Sequence, residues 1–251
     1  MHKIQFLILS LFSLGILISC TGTDELKEDP AEEVAELELP QINTPERELN
    51  AAFLIMDGVY NTELTAPIDI FQHTIFHTDK GIKVFTVAET YDVVTTFEGL
   101  RILPDYTFDT DTLPSIDILI VPSAEHHLDT DLENETMINW VRETGDQARF
   151  VMSLCDGAFV LAKAGLLDEV QCTTFPGDIE KFKSTFPQLD VKEGVSFVHD
   201  GRFITSAGGA KSFDPSLYLA ELLYGKKAAD GIAGGLVIDW DVQNVKCIIV
   251  K

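Results

Sequence analysis

The apolar positions of this chain fall in short unbroken blocks, separated by stretches in which they recur every three or four residues. "AAFLIM" (51–56), "IKVFTVAE" (82–89), "IDILIVP" (116–122) and "RFVMSL" (149–154) are blocks of the first kind. Runs of that length, rich in Val, Ile and Phe, read as strands buried on both faces. "TAPIDIFQHTIF" (65–76), "ETMINWVRETGD" (135–146) and residues 157–167 carry helical spacing instead, with Pro67 near the start of the first helix. "VSFVHDGRFITSAG" (195–208) predicts a hairpin turning at Asp200-Gly201. "DPSLYLAELLYG" (214–225) predicts a helix with Asp214 as N-cap, Pro215 at its first position and Gly225 past its end. Strands alternating with helices predict an α/β fold, a three-layer α/β/α sandwich around a mainly parallel sheet.

Two N-terminal segments depart from this pattern. After Lys3, residues 4–18 are almost unbroken apolar sequence, short of the ~20 residues a membrane span needs. That is a secretory signal pattern. It ends in Leu17-Ile18-Ser19-Cys20, which resembles the lipobox of bacterial lipoproteins, where the chain is cut before the cysteine and the cysteine is acylated. The expectation is a signal peptide over 1–19 and an exported body lipid-anchored through Cys20 to a membrane of the cell envelope, on its periplasmic side or at the cell surface. An ordinary signal peptide with a chance cysteine is the alternative. From Asp24 to Glu48, ten acidic residues oppose two basic ones, and Pro30, Pro40 and Pro45 interrupt the run. Such a stretch buries too little to order itself, so 20–49 reads as a solvated acidic tether and 50–251 as one domain.

Charge and cysteine spacing narrow the function classes. A formal charge of −23 repels phosphate backbones, which argues against a nucleic-acid partner. Cys155, Cys172 and Cys247 are scattered, with no metal-ligand spacing and no disulfide framework. Nothing marks a cofactor, and no metal site is expected. His73 and His77 lie four apart on one helix face, without a carboxylate to complete a metal set.

Ligands of open α/β sheets sit beyond the carboxyl ends of the strands. Three segments therefore matter: Asp57 to Pro67, Ser123 to His127, and Cys155 to Gly157. "RFVMSL-C-DGAF" is strand, one residue, helix, which puts Cys155 on a tight turn at the top of the sheet. Gly157 allows close backbone approach there. The helix N-terminus favours thiolate and offers N–H groups to an oxyanion. The other reading of Cys155 is a small buried hydrophobe. Asp156 sits where it caps the helix, although its charge disfavours thiolate.

The stretch "FVMSLCDGAFVLAKAGLLDEVQCTTFPGDIEKFKSTFP" closely resembles the nucleophile-elbow region of the DJ-1/PfpI superfamily, which has a flavodoxin-like, class I glutamine amidotransferase-like fold. The subgroup that comes nearest holds isonitrile hydratases and the amidotransferase-like domains of transcription regulators. "MDGVYNTELTAPIDIF" and "RFITSAGGAKSFDPSLYLAELLYG" extend the resemblance over about residues 50–240. It implies that Glu63 is the acid lying beside the cysteine sulfur, exchanging protons while sulfur attacks. It also implies a homodimer. Three departures stand out. Many members have histidine after the cysteine, and the hydratase-like ones threonine, where this chain has Asp156. The family's "TTH" strand becomes Thr173-Thr174-Phe175. A loop that normally carries a Gly-Gly pair reads "SAEHH", so Ala124, Glu125 and His126 are the pocket and oxyanion candidates, and His126 and His127 could replace the missing base or reach a metal together with Glu125, although adjacent loop histidines are more often simply solvated. The expectation is a cysteine-nucleophile hydratase, lyase or hydrolase, isonitrile hydratase-like or glyoxalase-like, acting on a small electrophilic molecule. The alternative is a small-molecule-binding or redox-sensing module on the same fold.

Overall fold

The continuous apolar blocks become the strands of a sheet buried on both faces. The computed structural model describes residues 37–250. The expected signal peptide, the anchor at Cys20 and the first part of the tether lie outside the described residues. Among the described residues, no helix is long and apolar enough to cross a membrane.

In chain order the elements are β1 (Leu49–Leu54), α1 (Asn61–His73), β2 (Ile82–Ala88), β3 (Val94–Thr95), β4 (Arg101–Ile102), β5 (Tyr106–Thr107) and β6 (Ile118–Val121). They continue with α2 (Glu135–Gln147), β7 (Phe150–Leu154), α3 (Gly157–Lys163), β8 (Gln171–Cys172), α4 (Ile179–Thr185) and β9 (Asp190–Val191). The last are β10 (Phe197–Asp200), β11 (Phe203–Ser206), α5 (Phe213–Tyr224), α6 (Lys226–Gly235) and β12 (Cys247–Ile249). Eight strands form one sheet in the order β12-β10-β11-β7-β6-β1-β2-β5. Neighbours are parallel except in the β10–β11 hairpin, where Gly201 takes the positive φ of the turn (61°).

Alternate residues of β1 feed two cores. Ala51 and Phe53, with Ile55 just past the strand's end, pack with Ile70 and Phe71 of α1, Leu217 and Leu219 of α5, and Ile232 of α6. Ala52 and Leu54 pack with Met137 and Val141 of α2, Phe159 of α3 and Phe182 of α4. Helices thus cover both faces, and the chain is the α/β/α sandwich that alternation predicts. Each large side chain buried this way contributes about 1.5–3 kcal/mol.

Three local expectations change. The first helix starts at Asn61, so Pro67 lies inside it. Its first turn is held from outside the helix, since the Tyr60 N–H donates to Ser123 O and the Asn61 N–H to the Glu98 carboxylate. The helix after β11 starts at Phe213 with Ser212 at the N-cap; Asp214 is drawn away to accept from Ser196 Oγ at 2.6 Å. Residues 37–48, expected within the solvated tether, lie along the domain instead. Leu37 exchanges two hydrogen bonds with Gln243, Leu39 and Ile42 pack on the core, and Arg47 makes a bidentate pair with Asp117.

Candidate active site

β7 ends at Leu154 and α3 begins at Gly157, so Cys155 and Asp156 make the whole turn. Cys155 has φ +54°, a left-handed conformation that costs a side-chain-bearing residue about 1–3 kcal/mol. The surroundings hold it there. Its N–H donates to Ser206 O at 3.0 Å, and its carbonyl accepts from Thr174 Oγ1 at 3.1 Å. Gly208 passes so close that a Cβ on it would lie 2.2 Å from Cys155 Cβ. A Cβ on Gly157 would lie 2.0 Å from Val121 O, so that glycine seats α3 on the end of β6. The turn therefore stands where β1, β6, β7 and β11 end together, beside the point where strand order reverses, a common ligand position in open sheets.

Glu63, in the first turn of α1, reaches the same spot. It is 5% exposed; Oε2 accepts from the Ser123 N–H and Oε1 from the Gly209 N–H, both at 3.0 Å. The carboxyl lies near enough to the Cys155 thiol for each group to shift the other's pKa. Burial raises the Glu63 pKa against the opposing pull of the two backbone donors. The thiol is pushed up as well, first by burial, then by the charges of Glu63 and Asp156, with only the Asp156 N–H pulling the other way. Lowering by the helix N-terminus, expected from the sequence, is overridden: the sulfur is buried between two carboxyls.

Asp156 occupies the N-cap position of α3, but its side chain makes no cap bond. Oδ1 instead accepts from Thr174 Oγ1 at 3.0 Å, and Oδ2 lies 3.7 Å from Cys155 Sγ. Its pKa rises to about 6, chiefly through burial, then through the negative charge of Asp178 nearby. Sequence reasoning missed Asp178, since an aspartate before a short helix reads merely as a cap.

The 123–127 loop is arranged differently from expectation. Its amides are already engaged: Ser123 N–H to Glu63, Ala124 N–H to His127 Nδ1 at 3.2 Å, and Glu125 N–H to Gly58 O at 3.1 Å. Ala124 and Glu125 therefore offer no oxyanion N–H. His126 is exposed and pairs with Asp129 at 3.3 Å. His127 is buried, and burial lowers its pKa to about 3, so the ring is neutral. Since Nδ1 accepts, the proton sits on Nε2, 3.2 Å from Met56 Sδ. Neither histidine is a base for Cys155. Tyr60, which the sequence did not single out, lies near enough for Cys155, Glu125, Glu63 and Asp156 to raise its pKa after burial, and its ring packs tilted against Phe97 with centroids 4.9 Å apart.

Cys172 is fully buried in the neighbouring β8, and burial raises its pKa to about 12. Among the described residues no group of three His, Cys, Asp or Glu is placed to hold a metal. An open cleft of about 730 Å³ runs beside the site rather than over it, lined by Pro176, Ala207, Lys211, Asp214 and Trp240 among others.

A thiol on a strained strand-to-helix turn, faced by a buried carboxyl at the top of a parallel sheet, defines an α/β protein of the nucleophile-elbow class. The DJ-1/PfpI family profile matches residues 50–221, and the chain belongs to that family. It is 30% identical over 181 residues to an isonitrile hydratase of Pseudomonas putida, covering 72% of this chain and 75% of the relative. It is 33% identical over 102 residues to the HTH-type transcriptional regulator CdhR of Pseudomonas aeruginosa, covering 41% of this chain and 30% of the regulator. A ThiJ/PfpI family protein from Pseudomonas syringae shares the fold, with a TM-score of 0.69 at 24% identity over 81% of this chain and 83% of that one. Both the superfamily resemblance and the sandwich architecture are thus borne out.

Proposed function

We propose that this protein is a cysteine-dependent enzyme of the hydratase, lyase or hydrolase type acting on a small electrophilic molecule. One observation carries the reading: the Glu63 carboxyl, clamped by two backbone N–H groups, is buried beside a thiol held at positive φ. A thiol with a raised pKa is a poor nucleophile until its proton is taken, and Glu63 is a stronger base than an ordinary carboxylate. In the proposed cycle the sulfur bonds to the electrophilic carbon as its proton passes to Glu63. The displaced electron pair settles on the heteroatom of a nitrile or carbonyl, or on the carbon of an isonitrile, and Glu63 returns the proton there. Water then adds at the carbon, the C–S bond breaks, and one proton of the water goes to the sulfur to restore the thiol. The isonitrile hydratase relative fits chemistry of this kind.

The test is a panel of isonitrile, nitrile, α-oxoaldehyde and amide substrates. Cys155→Ala is expected to abolish any turnover found, and Glu63→Gln to lower it at least a hundredfold while the fold is retained. Turnover surviving in Cys155→Ala rules the reading out. The second reading, a binding or redox-sensing module, is favoured by the engaged amides of the 123–125 loop, and binding without turnover across the panel would establish it.

The reading extends to location and assembly. Export and a lipid anchor at Cys20 rest on the N-terminal sequence pattern, and Cys20→Ala is expected to release the protein from membranes. A homodimer is supported by apolar side chains left exposed around β3 and β4, among them Phe97 and Leu100.

A further inference from the structure

We propose that Asp156 serves the second half of the reaction: its carboxylate takes a proton from the attacking water and hands it to the departing sulfur. This rests on Cys155 being the nucleophile, and it leaves the first half to Glu63. The two halves need different things. Addition needs a group that accepts the thiol proton and returns it to the substrate. Release needs a base for water and an acid at the sulfur. Burial and the charges of Glu63 and Asp156 hold the thiol pKa high, so the sulfur leaves readily only when a proton reaches it. The histidines supply neither group. His126 is exposed and paired with Asp129, and His127 is buried, neutral and turned to Ala124 and Met56.

Asp156 is placed for that task by the turn. Oδ1 accepts from Thr174 Oγ1 at 3.0 Å, and the same hydroxyl lies 3.1 Å from the Cys155 carbonyl, so one threonine fixes the carboxyl to the elbow. Oδ2 is thereby held 3.7 Å from Cys155 Sγ, within reach of a sulfur hydrogen bond. Each Glu63 oxygen, by contrast, already holds a backbone N–H. The titratable groups around Asp156 are Cys155 on the same turn, Asp178 ahead of α4, and Tyr60 and Glu63 at the start of α1. Burial and the charge of Asp178 raise its pKa to about 6, so near neutral pH it is a carboxylate that binds a proton more readily than a surface aspartate does. In the step itself, water oxygen bonds to the carbon of an acyl or imidoyl adduct while one water proton passes to Asp156 Oδ2. The carbon–heteroatom π pair moves to the heteroatom and then re-forms the double bond as the C–S bond breaks. The C–S pair goes to sulfur, which takes the proton from Asp156, and the second water proton stays with the product.

p-Nitrophenyl acetate separates the two halves. Acetylation of Cys155 expels nitrophenolate, which needs no proton, and the acetyl group then awaits water. Both steps are read on the full chain by site-resolved mass spectrometry at Cys155, the second after excess ester is removed. In the wild type, acetyl loss is expected to rise as pH passes through about 6. Asp156→Asn is expected to slow acetyl loss at least tenfold at pH 7.5 and to flatten that rise. Acetylation is not slowed, because the variant removes a charge that keeps the thiol protonated. Equal falls in both steps, unchanged acetyl loss, or a wild-type acetyl group that persists at every pH overturn the proposal and leave Cys155 as nucleophile. A wild-type sulfur that is not acetylated, while the urea-unfolded chain is, removes the nucleophile and the Asp156 role with it. Asp178→Asn keeps Asp156 in place and gives the second measurement if Asp156→Asn loses its cooperative unfolding transition. Without the neighbouring charge the rise in acetyl loss is expected to move to lower pH, and an unmoved rise overturns the role.

Discussion

Around Cys155 the acids are arranged by depth. Glu63 and Asp156 are buried on either side of the sulfur, and Asp178 stands half-buried behind Asp156. Asp156 titrates at about 6 against 3.8 for an ordinary aspartate, so near pH 5 the folded chain keeps a proton that the unfolded chain gives up. The sign follows from linkage: this stability is fully present below about pH 4 and is lost as pH rises through 6. At about 1.4 kcal/mol per unit it amounts to about 2–3 kcal/mol. Asp156→Asn is therefore expected to flatten the fall in urea-unfolding free energy between pH 4.5 and 7.5, with a residual slope from Glu63, which is raised in the same sense. An unchanged slope would mean that Asp156 ionises like a surface aspartate. At this scale the cysteine was legible because strand, one residue and helix is a pattern in the chain itself. Glu63 was legible only through the family resemblance. Tyr60 and Asp178 were not, because folding brings them to residues 95 and 22 positions away in sequence.

The turn depends on how closely its elements approach one another. α3 has seven residues, is too short to be stable alone, and is held by its seat against β6. A methyl group on Gly157 would meet the Val121 carbonyl at 2.0 Å, and backbone on both sides prevents a side chain from yielding. Gly157→Ala is expected to cost at least about 2 kcal/mol in urea unfolding. It should also speed alkylation of Cys155, because the helix must lift away from the end of β6 and so loosen the turn in which the cysteine is buried. A stable variant with unchanged labelling would show that α3 tolerates displacement. The long elements were readable for the same packing reason. β1, β2, β6 and β7 are buried on both faces and so are apolar throughout. α6 was missed because "KKAADGIAGG" carries one large apolar residue, and the two-residue strands β3, β4, β5, β8 and β9 are too short for any period to show. The start of α1 was misplaced because Pro67 resembles a first-turn proline, whereas contacts to Ser123 and Glu98 set the true boundary.

For the whole molecule, two tendencies oppose each other. A charge of −23 drives copies apart, yet Tyr91, Phe97, Leu100 and Leu103 are each more than half exposed on the segment that carries β3 and β4. Exposed large apolar side chains grouped on one segment mark an interaction site more often than ones scattered singly. The segment is tied to the active-site side of the domain: the Gly58 N–H donates to Thr95 O at 2.8 Å, and the Phe97 N–H to Val59 O at 3.0 Å. A second copy seated there would bury Phe97, whose ring packs tilted against that of Tyr60. The expected outcome is a dimer in sedimentation of the soluble domain, tightening as salt screens the acidic repulsion. Leu100→Asp combined with Leu103→Asp should give a monomer, since two carboxylates cannot be buried across such an interface without partners. A wild-type chain that sediments as a monomer at every salt concentration would leave the apolar hairpin without a role in self-association.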